Sequence, residues 1–269
     1  MNETWVLLRG LVREARHWEG FPDMLRASRP GASVETLDLP GNGALYLSDS
    51  PTSVSDMVDA LRAQLGSRGL KPPYHVMALS LGGMVALNWL QRFPGEVAAA
   101  VLINTSAAGF NPFWQRLRPA NYGPLLRFAL YGRDIYAREH TILRLTTNMV
   151  PSAEMSAVAS RWAAYAASHP TSRRNALRQL WAAIRFRAPA HLPGTTPVLL
   201  VNGAADTLVH PLCSVTLAGA WRCPLRVHPH AGHDLPLDAP RWLAETALNW
   251  VDGLASHRQA DVTDPALAN

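Results

Sequence analysis

Apolar residues along this chain fall into short unbroken runs, separated by longer stretches in which they recur every three or four positions. A short apolar run closed by glycine, proline or asparagine reads as a strand buried on both faces; the longer repeat reads as a helix with one buried stripe. The runs Trp5 to Leu8, Ser33 to Leu37, Tyr74 to Met77, Ala99 to Ile103, Pro197 to Val201 and Leu225 to His228 are the predicted strands. Between them the pattern predicts helices over Trp18 to Ala27 and Met84 to Phe93, one beginning near Pro211, and a last one over Arg241 to Leu254. A further helix follows Ser53, a plausible N-cap, with Met57, Leu61 and Leu65 on one face. Alternation of this kind is the signature of a parallel sheet with crossover helices.

The alternation stops after Asn104. From about Ser106 to His191 the chain is rich in arginine, alanine and aromatics, with helical spacing and no convincing strand. The predicted organisation is therefore an α/β core made of residues 1–105 and 192–255, a helical insertion over 106–191, and a polar tail over 256–269 expected to fray. With 269 residues and 48% hydrophobic content, a single domain carrying an insertion can bury a large core.

Composition removes several function classes. No run approaches the ~20 apolar residues of a membrane-spanning helix. Met1 to Glu3 lead straight into the first strand without room for a leader segment, so a cytoplasmic protein is expected. Cys213 and Cys223 lack any metal-ligand pattern and are expected to be reduced; neither a disulfide, a metal nor a cofactor is predicted. The net charge is +5 and Lys71 is the single lysine, but the arginines are dispersed and no nucleic-acid module is present.

The candidate chemistry begins at Ala78-Leu79-Ser80-Leu81-Gly82-Gly83, between a predicted strand and a predicted helix. A tight turn there strains the serine backbone, lifts its hydroxyl clear of the sheet, and points the N–H groups of the following helix at the same spot. A serine nucleophile needs a base, and the base needs a carboxylate to orient it. Asp206, in Gly203-Ala204-Ala205-Asp206, follows the fifth strand, and His233, in Ala231-Gly232-His233-Asp234, follows the sixth. Asp206 also has an ordinary alternative as the cap of the helix near Pro211. His210, His228 and His230 compete with His233 as the base. Asp234 lies too close along the chain to orient its neighbour, and the fourth strand ends in Asn104 rather than an acid, which leaves Asp206 as the orienter.

These residues, with Trp5-Val6-Leu7-Leu8-Arg9-Gly10 and Asp38-Leu39-Pro40-Gly41-Asn42-Gly43, resemble the α/β-hydrolase family over nearly the whole chain. Ala78 stands where the family's elbow usually has its first glycine, a change of one methyl that the turn should tolerate. The resemblance implies the α/β-hydrolase fold, a mostly parallel sheet with helices on both faces, and gives the insertion the look of the family's helical cap. The order Ser80, Asp206, His233 is the family's order. It also implies an oxyanion hole formed by the backbone of Leu81 and, from the loop after the first strand, Leu11. Arg9 replaces the usual histidine in that loop, either as a structural arginine bonding nearby carbonyls or as a substrate contact.

Within the family the chain looks like small carboxylesterases such as pimeloyl-carrier-protein methyl esterases. The expected activity is hydrolysis of a small-molecule carboxylic ester through an acyl-enzyme. Acyl transfer, C–C bond hydrolysis and lyase chemistry use similar triads, and a ligand-binding relative without turnover is the non-enzyme alternative. Trp162 and Tyr165, lying among cap arginines, are candidate substrate contacts together with Arg9. Arg161, Arg173, Arg174, Arg178, Arg185 and Arg187 crowd the same region. They are either solvated charge or an attraction for an acidic partner such as an acyl carrier protein, with Arg174 and Arg178 sharing a helical face.

Overall fold

The computed structural model describes residues 3–131 and 134–263. Six strands, β1 (Thr4–Leu8), β2 (Ser33–Leu37), β3 (Tyr74–Leu79), β4 (Val97–Ile103), β5 (Val198–Gly203) and β6 (Leu225–His228), form one sheet. Its order is β2-β1-β3-β4-β5-β6 and every pairing is parallel. The fold is that of an α/β hydrolase.

Strand side chains alternate between two apolar layers, which is why the sequence runs are uninterrupted. Val6, Leu8, Val76, Ala78, Leu102 and Leu200 point to one layer. That face is covered by α2 (Val54–Ser67), α3 (Leu81–Arg92) and later α9 (Leu212–Trp221). Trp5, Leu7, Met77, Val101, Ile103 and Val201 point the other way, against α1 (Phe21–Ser28) and the C-terminal α11 (Pro240–Thr263). Ser53 does cap α2, its hydroxyl accepting from the Asp56 N–H at 3.1 Å.

Two elements differ from the sequence pattern. The segment predicted as one helix from Trp18 splits into a 3-10 turn, Ala15–Trp18, and α1. The break lies at Glu19, whose φ is 50°, and Pro22 is tolerated because it falls in the first turn of α1. At the other end, α11 runs through the expected fraying point to Thr263; residues 264–269 lie outside the described residues.

Between β4 and β5 the chain forms α4 (Phe113–Arg116), α5 (Tyr122–Tyr131), α6 (Ile135–Thr146), α7 (Ser152–Ser168) and α8 (Arg173–Arg185). The four-residue α10 (Leu235–Asp238) precedes α11. Leu143, Val158, Ala159 and Trp162 give α6 and α7 a small core of their own.

The C-terminal strand ends are crowded. A Cβ on Gly203 would sit 2.1 Å from the Ala231 carbonyl oxygen, so β5 and the loop after β6 touch backbone to backbone. Gly219, inside α9, meets nothing within 4 Å. Gly203→Ala is therefore expected to destabilise the protein by about 3 kcal/mol. Gly219→Ala is expected to stabilise it by up to about 1 kcal/mol. Denaturant unfolding of both variants reads the contrast.

Candidate active site

Ser80 stands between β3 and α3 with φ 57° and ψ −116°, a region that costs a non-glycine residue roughly 1–3 kcal/mol. The turn is held from several sides. The Ser80 N–H donates to the Ile103 carbonyl at 2.9 Å, and the Ser80 carbonyl accepts from the Gly83 N–H and from the Thr105 hydroxyl, each at 2.9 Å. Gly82 is required by contact: its Cβ would lie 2.7 Å from the Leu8 carbonyl oxygen and 2.8 Å from that of Arg9. The elbow thus forms with Ala78 in place of a glycine.

Asp206 and His233 meet. His233 Nδ1 is 2.7 Å from Asp206 Oδ2, with both residues buried. The other carboxylate oxygen accepts the Leu208 and Val209 N–H groups at 2.8 and 2.9 Å, so Asp206 shapes its own loop while facing the imidazole. The competing histidines have local work. His228 Nδ1 accepts from the Ala231 N–H, His210 Nδ1 accepts from the Leu212 N–H, and His230 is exposed.

Asn104, passed over in the sequence because it is not an acid, fastens the strand ends together. Its Oδ1 accepts the Gly203 N–H at 3.0 Å, and its Nδ2 donates to the carbonyls of Gly232 and His233 at 3.1 and 2.7 Å. The left-handed backbone at this residue, φ 45°, is one that asparagine adopts more readily than most. Asp238 does similar work between the loop after β6 and the turn after α6. Its carboxylate accepts N–H groups from Gly232, Asn148 and Met149, while burial pushes its pKa up.

Leu81 opens α3 and is buried; Leu11 lies in the loop after β1 and is partly exposed. That loop passes beside Ser80, since a Cβ on Gly10 would lie 3.1 Å from Ser80 Cβ. Gln179 on α8, fully buried, fixes the loop: its Oε1 accepts the Val12 N–H at 2.9 Å, and its Nε2 donates to Asn42 Oδ1 and Ser50 Oγ at 2.8 and 3.0 Å. A glutamine on a surface helix gave no signal of this role in the sequence.

The residues expected to touch substrate have partners within the protein. Arg9 bonds neither loop carbonyls nor open space; its guanidinium makes a two-pronged ion pair with Asp234 at 2.9 and 2.5 Å, both side chains buried. Trp162 has no exposed surface; its indole N–H donates to Glu19 and its ring lies 4.5 Å beneath the Arg13 guanidinium. Tyr165 sets its ring edge against His17 and carries Arg16 over its face. These aromatics join α7 to the loop after β1. In the arginine cluster, Arg178 is turned inward to the Ser50 carbonyl, Arg174 pairs with Asp49 at 3.2 Å, and Arg161 pairs with Glu19.

A family model for the alpha/beta hydrolase family matches residues 5–246. The chain belongs to the alpha/beta hydrolase family. Solved relatives share its architecture. A hydrolase from Pseudomonas aeruginosa PA01 superposes with a TM-score of 0.72 at 20% identity, covering 93% of this chain and 90% of its own. The esterase RhEst1 from Rhodococcus sp. ECU1013 gives a TM-score of 0.71 at 19% identity, with coverage of 93% and 90%. At such identities the likeness is one of fold. Among curated sequences, the homoserine O-acetyltransferase of Geotalea daltonii is 37% identical over 68 residues, 25% of this chain. The matches span between 18% and 36% of the lengths of such relatives.

Two expectations follow from the geometry. Arg9→Met should cost about 3–5 kcal/mol in denaturant unfolding by leaving Asp234 buried and unpaired, and Arg9→Met with Asp234→Leu should cost clearly less than the sum of the single changes. The second concerns His17. Burial, then the charges of Arg13 and Arg9, hold its pKa well below the ordinary histidine value. The unfolded chain therefore takes up this proton first, and stability falls as pH drops from about 6.5 toward the lower folded value. In unfolding titrations His17→Gln should flatten that part of the stability profile relative to the parent protein.

Proposed function

We propose that this protein is a serine hydrolase of small carboxylic esters. The observation that carries the reading is the buried 2.7 Å contact between His233 Nδ1 and Asp206, on the strand ends beside the strained Ser80 turn. Asp206 fixes the imidazole so that its Nε2 serves as the base. His233 takes the Ser80 proton as the hydroxyl oxygen attacks the ester carbonyl. The tetrahedral oxyanion is stabilised by the N–H groups of Leu81 and Leu11, and collapse expels the alcohol with the proton held by His233. Water, deprotonated by the same imidazole, then attacks the acyl-Ser80 carbonyl and returns the free serine with a carboxylic acid.

Gln179 matters because it holds the loop that carries the Leu11 donor. Backbone donors work only where the oxyanion develops, so small displacements cost rate.

A fluorophosphonate label mapped by mass spectrometry should modify Ser80. In assays with short-chain nitrophenyl esters, Ser80→Ala and His233→Ala should each lower kcat by about 10³-fold or more, while His228→Ala and His230→Ala stay near the parent value. Asp206→Asn should fall severely but less far. Gln179→Leu should lower kcat by about ten- to a hundredfold. A Ser80→Ala protein that kept its turnover would end the proposal.

A further inference from the structure

Helix α8 is inside out. Its protein-facing residues are Asn175, Gln179 and Ala182, all buried, whereas Leu177, Trp181 and Ile184 are 65%, 51% and 37% exposed. The inward polar groups are fully engaged: the Asn175 side chain bonds Ser48 and Ser50, and Gln179 bonds Val12, Asn42 and Ser50. The outward residues recur at i, i+4 and i+7, which places them in one stripe along the solvent side. A stripe of this kind keeps water against apolar surface, which is unfavourable unless something covers it.

The surroundings say what the cover is. Arg173, Arg174 and Arg185 are exposed on the flanks of the stripe, and the Arg185 guanidinium lies 5.4 Å from the Trp181 ring centre. Alongside, α4 is tied to α8 by a 2.8 Å hydrogen bond from Arg116 to the Ala183 carbonyl. On α4, Phe113 and Trp114 are 43% and 63% exposed. The α8 stripe is therefore aromatic and aliphatic along its centre with arginines at its flanks, Arg174 being paired to Asp49.

We propose that this face of the cap docks on an anionic lipid surface, the stripe entering the boundary between headgroups and acyl chains and the arginines pairing with lipid phosphates. Tryptophan and leucine beside arginine are the residue types that settle at that boundary. Guanidinium groups match phosphate oxygens in two-pronged hydrogen bonds. A second copy of the chain is a poorer occupant, because face-to-face stacking would press the arginine flanks against each other. No described helix is long and apolar enough to cross a membrane, so this contact is a peripheral one.

Co-sedimentation of the full chain with vesicles tests it. The protein should pellet with vesicles of phosphatidylcholine and phosphatidylglycerol in equal parts, far less with phosphatidylcholine alone, and less as salt rises. Leu177→Asp and Trp181→Asp should each weaken partitioning about tenfold or more. The triple change Arg173→Glu, Arg174→Glu, Arg185→Glu should weaken it about a hundredfold. Turnover of a soluble short-chain ester should stay unchanged in all of them, and each should melt as a folded protein; Leu177→Ser and Trp181→Ser serve if an aspartate variant misfolds. Absence of binding to the anionic vesicles, or binding indifferent to these substitutions, overturns the proposal. So does a dimer in sedimentation velocity that Trp181→Asp dissolves, or capture of an acidic carrier protein in place of the vesicles.

Discussion

The site depends on one side-chain amide. Parallel strands end at different heights, and nothing in sheet pairing alone fixes the loops beyond them. Asn104 closes that freedom by spending its carbonyl on Gly203 and both amide hydrogens on the carbonyls of Gly232 and His233. A buried amide left unmatched costs free energy, so the three bonds support one another. The segments carrying Asp206 and His233 are thereby fastened to β4, whose Ile103 carbonyl in turn holds the Ser80 N–H.

A second layer of contacts comes from the helices inserted between β4 and β5. Asp238 links the loop before His233 to the turn after α6, and the Thr146 carbonyl accepts the Asp234 N–H at 2.7 Å. Asp234 is itself neutralised by Arg9 at the end of β1. On the other side, Gln179 holds Val12 and Trp162 closes over Arg13 and Glu19. The sheet's loops and the inserted helices therefore share buried polar bonds, and the loops near Ser80 are anchored from both directions.

The same polar seam explains the inverted helix. Because α8 turns Asn175 and Gln179 inward to satisfy backbone groups of the loops beneath it, its leucine, tryptophan and isoleucine are left on the outside. A helix that packed by apolar contact would have done the reverse. The outer chemistry of α8 thus follows from what its inner face has to bind.

What the sequence determined by itself was everything carried by local pattern. The bounds of β2 and β6 are predicted to the residue, the Ser53 cap starts α2, and small residues around Ser80 announce the elbow. Family and fold were legible for the same reason, since repeated strand-helix alternation leaves few architectures. Other features were decided by tertiary structure alone. The Arg9 pairing with Asp234 spans 225 positions, Gln179 reaches Val12 across 167, and Asn104 reaches His233 across 129. Trp162 and Tyr165 read as pocket aromatics until the core pressed against them. Spacing along a chain reports the neighbours within a strand or a helical turn, whereas partners for buried charges and amides are chosen only once distant segments are brought into contact.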